Sequence, residues 1–249
     1  MVSVGKRNMR YKCVLTKRIG NSHLENDGVC QDNVASYEKK GVCCVALSDG
    51  AGSVSGSEEA ASITTDVIVH RLTEEFDILY EMSTQQISKI LLDEIRIRVN
   101  KETDVKAACT VLFFARAKDG RAIYGHLGDG MIFADGESGD RVLSYPENGD
   151  EPNQTFFVSH RNAEQRFRVT KGNDFSYNVV LLCSDGLSEL LYNNEHHRIA
   201  KAVSIMSRWI QSYTEQETKE LIDRELEEMF SRYSNDDMSI AMMSFGSEV

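Results

Sequence analysis

Three short apolar runs in this chain break off at the same dipeptide: "VALSDGAGS" at 45–53, "GHLGDGM" at 125–131 and "LLCSDGLSELL" at 181–191. Runs of four to eight residues rich in Val, Ile, Leu and Phe, bounded by Gly, Asp or Asn, are the length and composition of strands. The same reading covers 11–16, 42–48, 109–115, 121–127, 130–134, 179–184 and 239–245. Between them, residues 55–80 carry Ile63, Val67, Ile68 and Leu72 at helical spacing, and 84–100 carry Ile87, Leu91, Ile95 and Val99 on one stripe. A second helix pair is predicted near the C-terminus. Its first stripe runs through Ile199, Val203, Met206, Ile210 and Tyr213, and its second helix opens on the capping box "TEQE" at 214–217. Strands interrupted by paired helices predict an α+β fold with sheets packed face to face and helices outside them. The Gly- and Asp-rich stretch from 135 to 154 interrupts this order, and about 135–178 is expected to form an exposed flap near the functional end.

The acids at the strand ends are the chemically informative residues. Asp49, Asp129 and Asp185 each stand between an apolar run and a Gly, Asp236 and Asp237 precede the last run in "SNDDMSIAMM", and Asp32 precedes another in "CQDNVASY". Taken singly, Asp-Gly is a favoured turn dipeptide. Three at strand exits, with an acidic pair before a fourth strand, make a set that turns alone explain less well. Carboxylates converging at one end would repel unless a cation held them, and carboxylate, carbonyl and water oxygens form the preferred shell of Mg²⁺ or Mn²⁺. Two such ions sharing a carboxylate can activate a water for in-line attack on phosphorus.

Bulk properties narrow the alternatives. The 249 residues, 41% hydrophobic with two prolines, suffice for one domain over 1–249 with a substantial core. A net charge of −11, from 28 basic and 39 acidic residues, argues against nucleic acid and against an anionic membrane surface as partners. The six cysteines have neither CxxC spacing nor the Cys-x5-Arg loop of a thiol phosphatase, and read as reduced core residues. With no apolar leader or spanning segment, the expected location is cytoplasmic.

Five stretches in order resemble the metal-dependent protein phosphatases of the 2C type, in their compact bacterial branch: "GNSHLENDGVCQDNVAS", "VALSDGAGSVSGSEEAA", "CTVLFFA" with "GHLGDGMIF", "LLCSDGLSELL" and "NDDMSIAMM". The resemblance implies a central sandwich of two antiparallel sheets flanked by helix pairs in four layers, αββα. It also implies two metal ions, with Asp49 bridging them, the Gly50 carbonyl on one, Asp185 and Asp236 completing the other, and Asp32 binding an ion or its waters. Asp129 would hold a weaker third ion, with Glu189 near it. The implied activity is hydrolysis of phosphoserine and phosphothreonine in proteins, opposite a Ser/Thr kinase. Two rivals remain: a phosphatase-like binding domain, or a hydrolase of small phosphoesters.

The departures from the family pattern are specific. Gln31 stands where many members have Glu, Ala51 where eukaryotic members often have a proton-donating His, and no Arg matches the phosphate-binding position. His23, Arg18 and Lys17 are the nearest substitutes for that Arg, His23 being the substrate-binding candidate. Other residues read as structural: His196 and His197 at a helix start on the surface, Trp209 and Met238, Met242 and Met243 in the core, His126 facing core or cleft, and His160 in the variable middle segment.

Overall fold

A computed structural model of the chain describes residues 9–24, 28–147, 155–173 and 176–247. Two five-stranded antiparallel sheets face each other. The first runs β1 (Met9–Arg18), β12 (Met238–Ser247), β9 (Tyr177–Cys183), β6 (Met131–Gly136) and β7 (Arg141–Ser144). The second runs β2 (Asn33–Lys39), β3 (Val42–Ser48), β4 (Val111–Ala117), β5 (Ala122–Leu127) and β8 (Arg168–Gly172).

The alternation of side chains along each strand explains why the central strands are apolar throughout. In β3, Cys43, Val45 and Leu47 point between the sheets, while Val42, Cys44 and Ala46 point outward into a second cluster. Likewise Ala241 and Met243 of β12 face the other sheet, whereas Met238, Ile240 and Met242 face the helices on their own side. The inter-sheet layer is closed by Phe114 stacked on Phe245 at 6.1 Å.

The outer layers are the expected helix pairs. Over the second sheet lie α2 (Ser57–Glu74), the short α3 (Phe76–Glu81) and α4 (Thr84–Glu102). Over the first lie α6 (Asp185–Leu191), α7 (Lys201–Ser212) and α8 (Glu215–Glu228). The box on α8 forms as read: Thr214 Oγ1 accepts from Glu217 N, and Glu217 Oε2 accepts from Thr214 N at 2.9 Å. Ser83 and Gln86 make the same reciprocal pair at the start of α4. Two four-residue helices, α1 (Asn21–Leu24) and α5 (Ala163–Arg166), belong to the loops around the functional end.

The structure corrects the sequence reading at several points. The helix expected over 55–80 breaks at Glu75, whose φ of −122° and ψ of 25° leave the helical basin. The break lets Phe76 and Leu79 of α3 turn into the core that a straight helix would miss. His196 and His197 do not begin a helix. They lie in the turn of a hairpin between β10 (Tyr192–Asn193) and β11 (Arg198–Ile199), where His197 has a φ of 50°, and Ile199 is therefore a strand residue. Tyr213, placed on the buried stripe, is exposed beyond the end of α7. Val203, Met206, Ile210 and the three methionines of β12 are buried as expected. Within 135–178, β7 and β8 are edge strands of the two sheets, while 148–154 and 174–175 lie outside the described residues.

Candidate metal centre

All the acid-bearing strand ends meet at one end of the sandwich. The strand registers put Met131, Cys183 and Ile240 in one row across β6, β9 and β12. The residues just beyond that row, including Asp129, Asp185 and Asp236, therefore emerge together. From the facing sheet, Asp49 follows β3, and its backbone is fixed twice: its N–H donates to Thr110 Oγ1 at 2.9 Å, and its carbonyl accepts from Thr110 N at 2.8 Å. Carboxylate oxygens of Asp49, Asp129 and Asp185 lie within 4.8 Å of one another. Asp236 and Gly50 line the same cleft, whose volume is about 290 Å³.

Asp129 sits where the chain crosses from β5 in one sheet to β6 in the other. The crossing is tight at Gly128, whose φ of 121° disfavours any side chain; a Cβ there would meet Thr110 Cγ2 at 2.5 Å. Thr155 donates to Asp129 Oδ2. The segment carrying Thr155 is tied to α4 by Arg96, which donates to the carbonyls of Val158 and His160, both at 2.9 Å. Asp185 opens α6 behind the N-cap Ser184, and Gly186 packs so closely on the Asp237 carbonyl that a Cβ would collide with it.

The electrostatics are those of a site short of positive charge. Burial first, then the neighbouring carboxylates of Asp32, Asp185 and Asp129, push Asp49 well above the usual carboxylate range. Asp185 is pushed up to about 7 by burial and by Asp129 and Asp236. Asp32 is also raised to about 7, chiefly by burial, against the opposing effect of the Ser239 and Ser184 hydroxyls. Asp129 is raised by burial, with Thr155 opposing.

These residues fit hard cations. Asp129 Oδ1 and Gln31 Oε1 are buried oxygens without hydrogen-bond partners, and both residues line the cleft. Neither Lys nor Arg is among the lining residues. An all-oxygen donor set of several carboxylates is the environment of Mg²⁺ or Mn²⁺ rather than of a softer metal.

The sequence model of protein phosphatase 2C matches residues 19–231, most of the chain. The chain belongs to the protein phosphatase 2C family. Its fold is that of bacterial members. The S. agalactiae serine/threonine phosphatase superposes with a TM-score of 0.64 at 14% identity, covering 94% of this chain and 99% of that one. RsbX in complex with magnesium gives 0.58 at 11% identity, covering 95% and 96%. The phosphatase domain of SpoIIE from Bacillus subtilis gives 0.54 at 16%, covering 98% and 95%. No curated protein matches the chain by sequence.

Against the protein phosphatase 2C pattern, the departures now have surroundings. Gln31 donates through Nε2 to Ser57 Oγ at 2.9 Å, which leaves its Oε1 as the oxygen nearer Gly52. Ala51 is buried and offers the cleft no proton donor. Arg18 is turned away, paired with Glu227 of α8 at 2.6 Å, and the Lys17 ammonium donates to the Asp32 carbonyl at 2.8 Å. His23 does line the cleft, whereas Glu189 lines a neighbouring cavity that shares Asp129, Asp185 and Asp236. His126 is buried beside Ser144 and Arg168, and burial lowers its pKa to about 3, so it serves the core as a neutral ring.

Two participants were missed in the sequence. Thr155 stands in a segment with no periodicity to mark it. Asp237 reads in the sequence only as half of an acidic pair, yet the bend before β12 turns the two apart: Asp236 is exposed to the cleft and Asp237 is buried. Asp237 accepts from Gly20 N at 2.7 Å and from Gln31 N at 2.6 Å, holding the N-terminal loop against the start of β12.

Proposed function

We propose that this chain is a Mg²⁺- or Mn²⁺-dependent protein serine/threonine phosphatase acting on phosphoproteins in the cytoplasm, opposite a Ser/Thr kinase. The observation that carries this reading is the convergence of Asp49, Asp129 and Asp185 within 4.8 Å, at the end of a sandwich of this family. Asp49, the Gly50 carbonyl, Asp185 and Asp236 would hold two ions, with Asp32 behind them, and Asp129 would hold a weaker third ion. Bound there, the ions supply positive charge for the phosphoryl oxygens and lower the pKa of an attacking water.

The chain's own contribution is to hold these carboxylates at strand ends and to keep Lys and Arg side chains out of the cleft lining. The buried Gln31 amide oxygen adds an acceptor for water in the cleft wall. The likeness to a structure described as RsbX in complex with magnesium supports Mg²⁺ as one occupant. Among the described residues, no helix is long and apolar enough to cross a membrane.

The test is hydrolysis of a phosphothreonine peptide and of p-nitrophenyl phosphate with Mn²⁺, with Mg²⁺ and with chelator, using Asp49→Asn as the blank. Metal-dependent release of phosphate from the peptide is expected. Equal release by Asp49→Asn would overturn the assignment. Release from p-nitrophenyl phosphate alone would favour a small-phosphoester hydrolase.

A further inference from the structure

The loop after β3 carries Ala51 and brings no proton donor to the cleft, yet a histidine reaches the same loop from elsewhere. His23 lies in α1, and this short helix is pinned to the segment leading into β12. Ser22 donates to the Asn235 carbonyl through both its N–H, at 3.1 Å, and its Oγ, at 2.7 Å. The His23 carbonyl accepts from Gly28 N at 2.8 Å. The ring faces a carboxylate, although Nδ1 completes no hydrogen bond there. Nδ1 is buried and lies 3.0 Å from Asp237 Oδ1, and the ring lines the cleft with Asp49, Asp185 and Asp236. Nε2 approaches the Gly50–Gly52 loop and would stand 3.8 Å from a Cβ on Gly52.

A carboxylate facing one ring nitrogen favours a proton on that nitrogen and leaves the other turned toward the cleft. Asp237 is placed for this task. It is 4% exposed, it already accepts from the Gly20 and Gln31 amides, and it belongs to the strand end that carries Asp236.

We propose that His23 is a catalytic residue that protonates the leaving oxygen, and that Asp237 is its positioning residue. The proposal rests on the phosphatase reading above. In the step, the oxygen of the attacking water forms a new bond to phosphorus while the P–O bond to the serine breaks. The electron pair of that bond goes to the serine oxygen, and the proton on His23 Nε2 follows it there. The proton shed by the attacking water restores the imidazolium through solvent.

The test compares two substrates that differ in the need for a proton. Phenyl phosphate leaves as a strongly basic oxyanion, whereas nitrophenolate needs little help. His23→Gln and His23→Asn, the latter keeping an amide N–H for Asp237, are each expected to slow turnover of phenyl phosphate about 100-fold or more, and that of p-nitrophenyl phosphate several-fold at most. Asp237→Asn is expected to shift the same ratio in the same direction, an effect that a purely structural loss would not produce. A second readout needs neither turnover nor metal: in nitrogen NMR of the metal-free protein His23 should keep its proton on Nδ1 while Nε2 is the nitrogen that gains and loses one, and Asp237→Asn should release that preference. Equal losses on both substrates, or a His23 ring that samples both tautomers freely in the wild type, would overturn the proposal while leaving the phosphatase reading intact. If the wild-type protein hydrolysed neither substrate under any metal, the phosphatase reading itself would fall and the role of His23 with it.

Discussion

A single carboxylate at this strand end is a liability until a cation arrives. Asp49 is raised by burial and by three neighbouring acids, so its charge is unfavourable in the metal-free fold. Asp49→Asn removes that charge while keeping the shape. It is expected to raise the melting temperature of the chelator-treated protein and to abolish the further rise that Mn²⁺ gives the wild type, while metal-dependent turnover falls beyond the 10–100-fold typical of residues that merely support a metal ligand. Calorimetric melting with and without Mn²⁺ measures both shifts; a lowered metal-free melting temperature would assign Asp49 to the fold instead. The pH dependence follows from the same groups. Asp32 and Asp185, ordinarily near 3.8, are each raised to about 7, so between those values the folded metal-free state holds more protons than the unfolded chain. Their contribution to stability is complete below the ordinary value and is lost as pH rises through 7. The chelator-treated protein should therefore melt at a lower temperature at pH 8 than at pH 5.5, and saturating Mg²⁺ should narrow the gap. A metal-free melting temperature that does not fall over this range would contradict the crowding of acids.

Elements deliver these residues, and the joints between elements decide how well. Gly128 packs against Thr110, which in turn holds Asp49, so one turn supports acids from two strands. Gly128→Ala asks for a side chain at a φ of 121° against that threonine, and should cost more than about 1 kcal/mol in denaturant unfolding while weakening metal affinity at both Asp49 and Asp129. Thr214→Ala is the contrasting case. It removes the cap of α8, far along the chain from the acids, and is expected to cost about 1 kcal/mol with metal affinity unchanged. The same contrast separates what was legible in the sequence from what was not. The central strands of the sandwich and the box at Thr214 depend on local periodicity and local hydrogen bonds and were readable, whereas the edge strands β7 and β8 lie in the stretch expected to form a flap. Asp49, Asp129 and Asp185 were readable because each ends an apolar run with Asp-Gly. The break at Glu75 was hidden because only tertiary packing rewards turning Phe76 inward. The pairing of His23 with Asp237 was hidden because it joins residues from opposite ends of the chain through a loop with no pattern of its own.

The molecule is assembled from two halves, each a sheet backed by its own helices and joined to the other across one apolar layer. Phe114 anchors that layer against Phe245 and Tyr124. Phe114→Ala is expected to cost about 3–5 kcal/mol, and metal at 100 times its dissociation constant should return about 2.7 kcal/mol of it, measurable as the difference between denaturant midpoints with and without Mn²⁺. Directional bonds cross that layer at the end away from the acids, where Tyr11 donates to the Arg116 carbonyl at 3.0 Å and Arg116 donates to the Tyr177 carbonyl at 3.2 Å. The acids stand at the opposite end: Asp49 extends from one sheet, Asp185 and Asp236 from the other, and Asp129 from the strap between them. A slip of one residue spacing, about 3.3 Å, would carry Asp49 out of reach of Asp185. A cation caught among them would thus work like a clasp opposite a hinge, closing the end that Tyr11 and Arg116 leave untied, and a chain stripped of metal should let its sheets part at that end before either one unfolds.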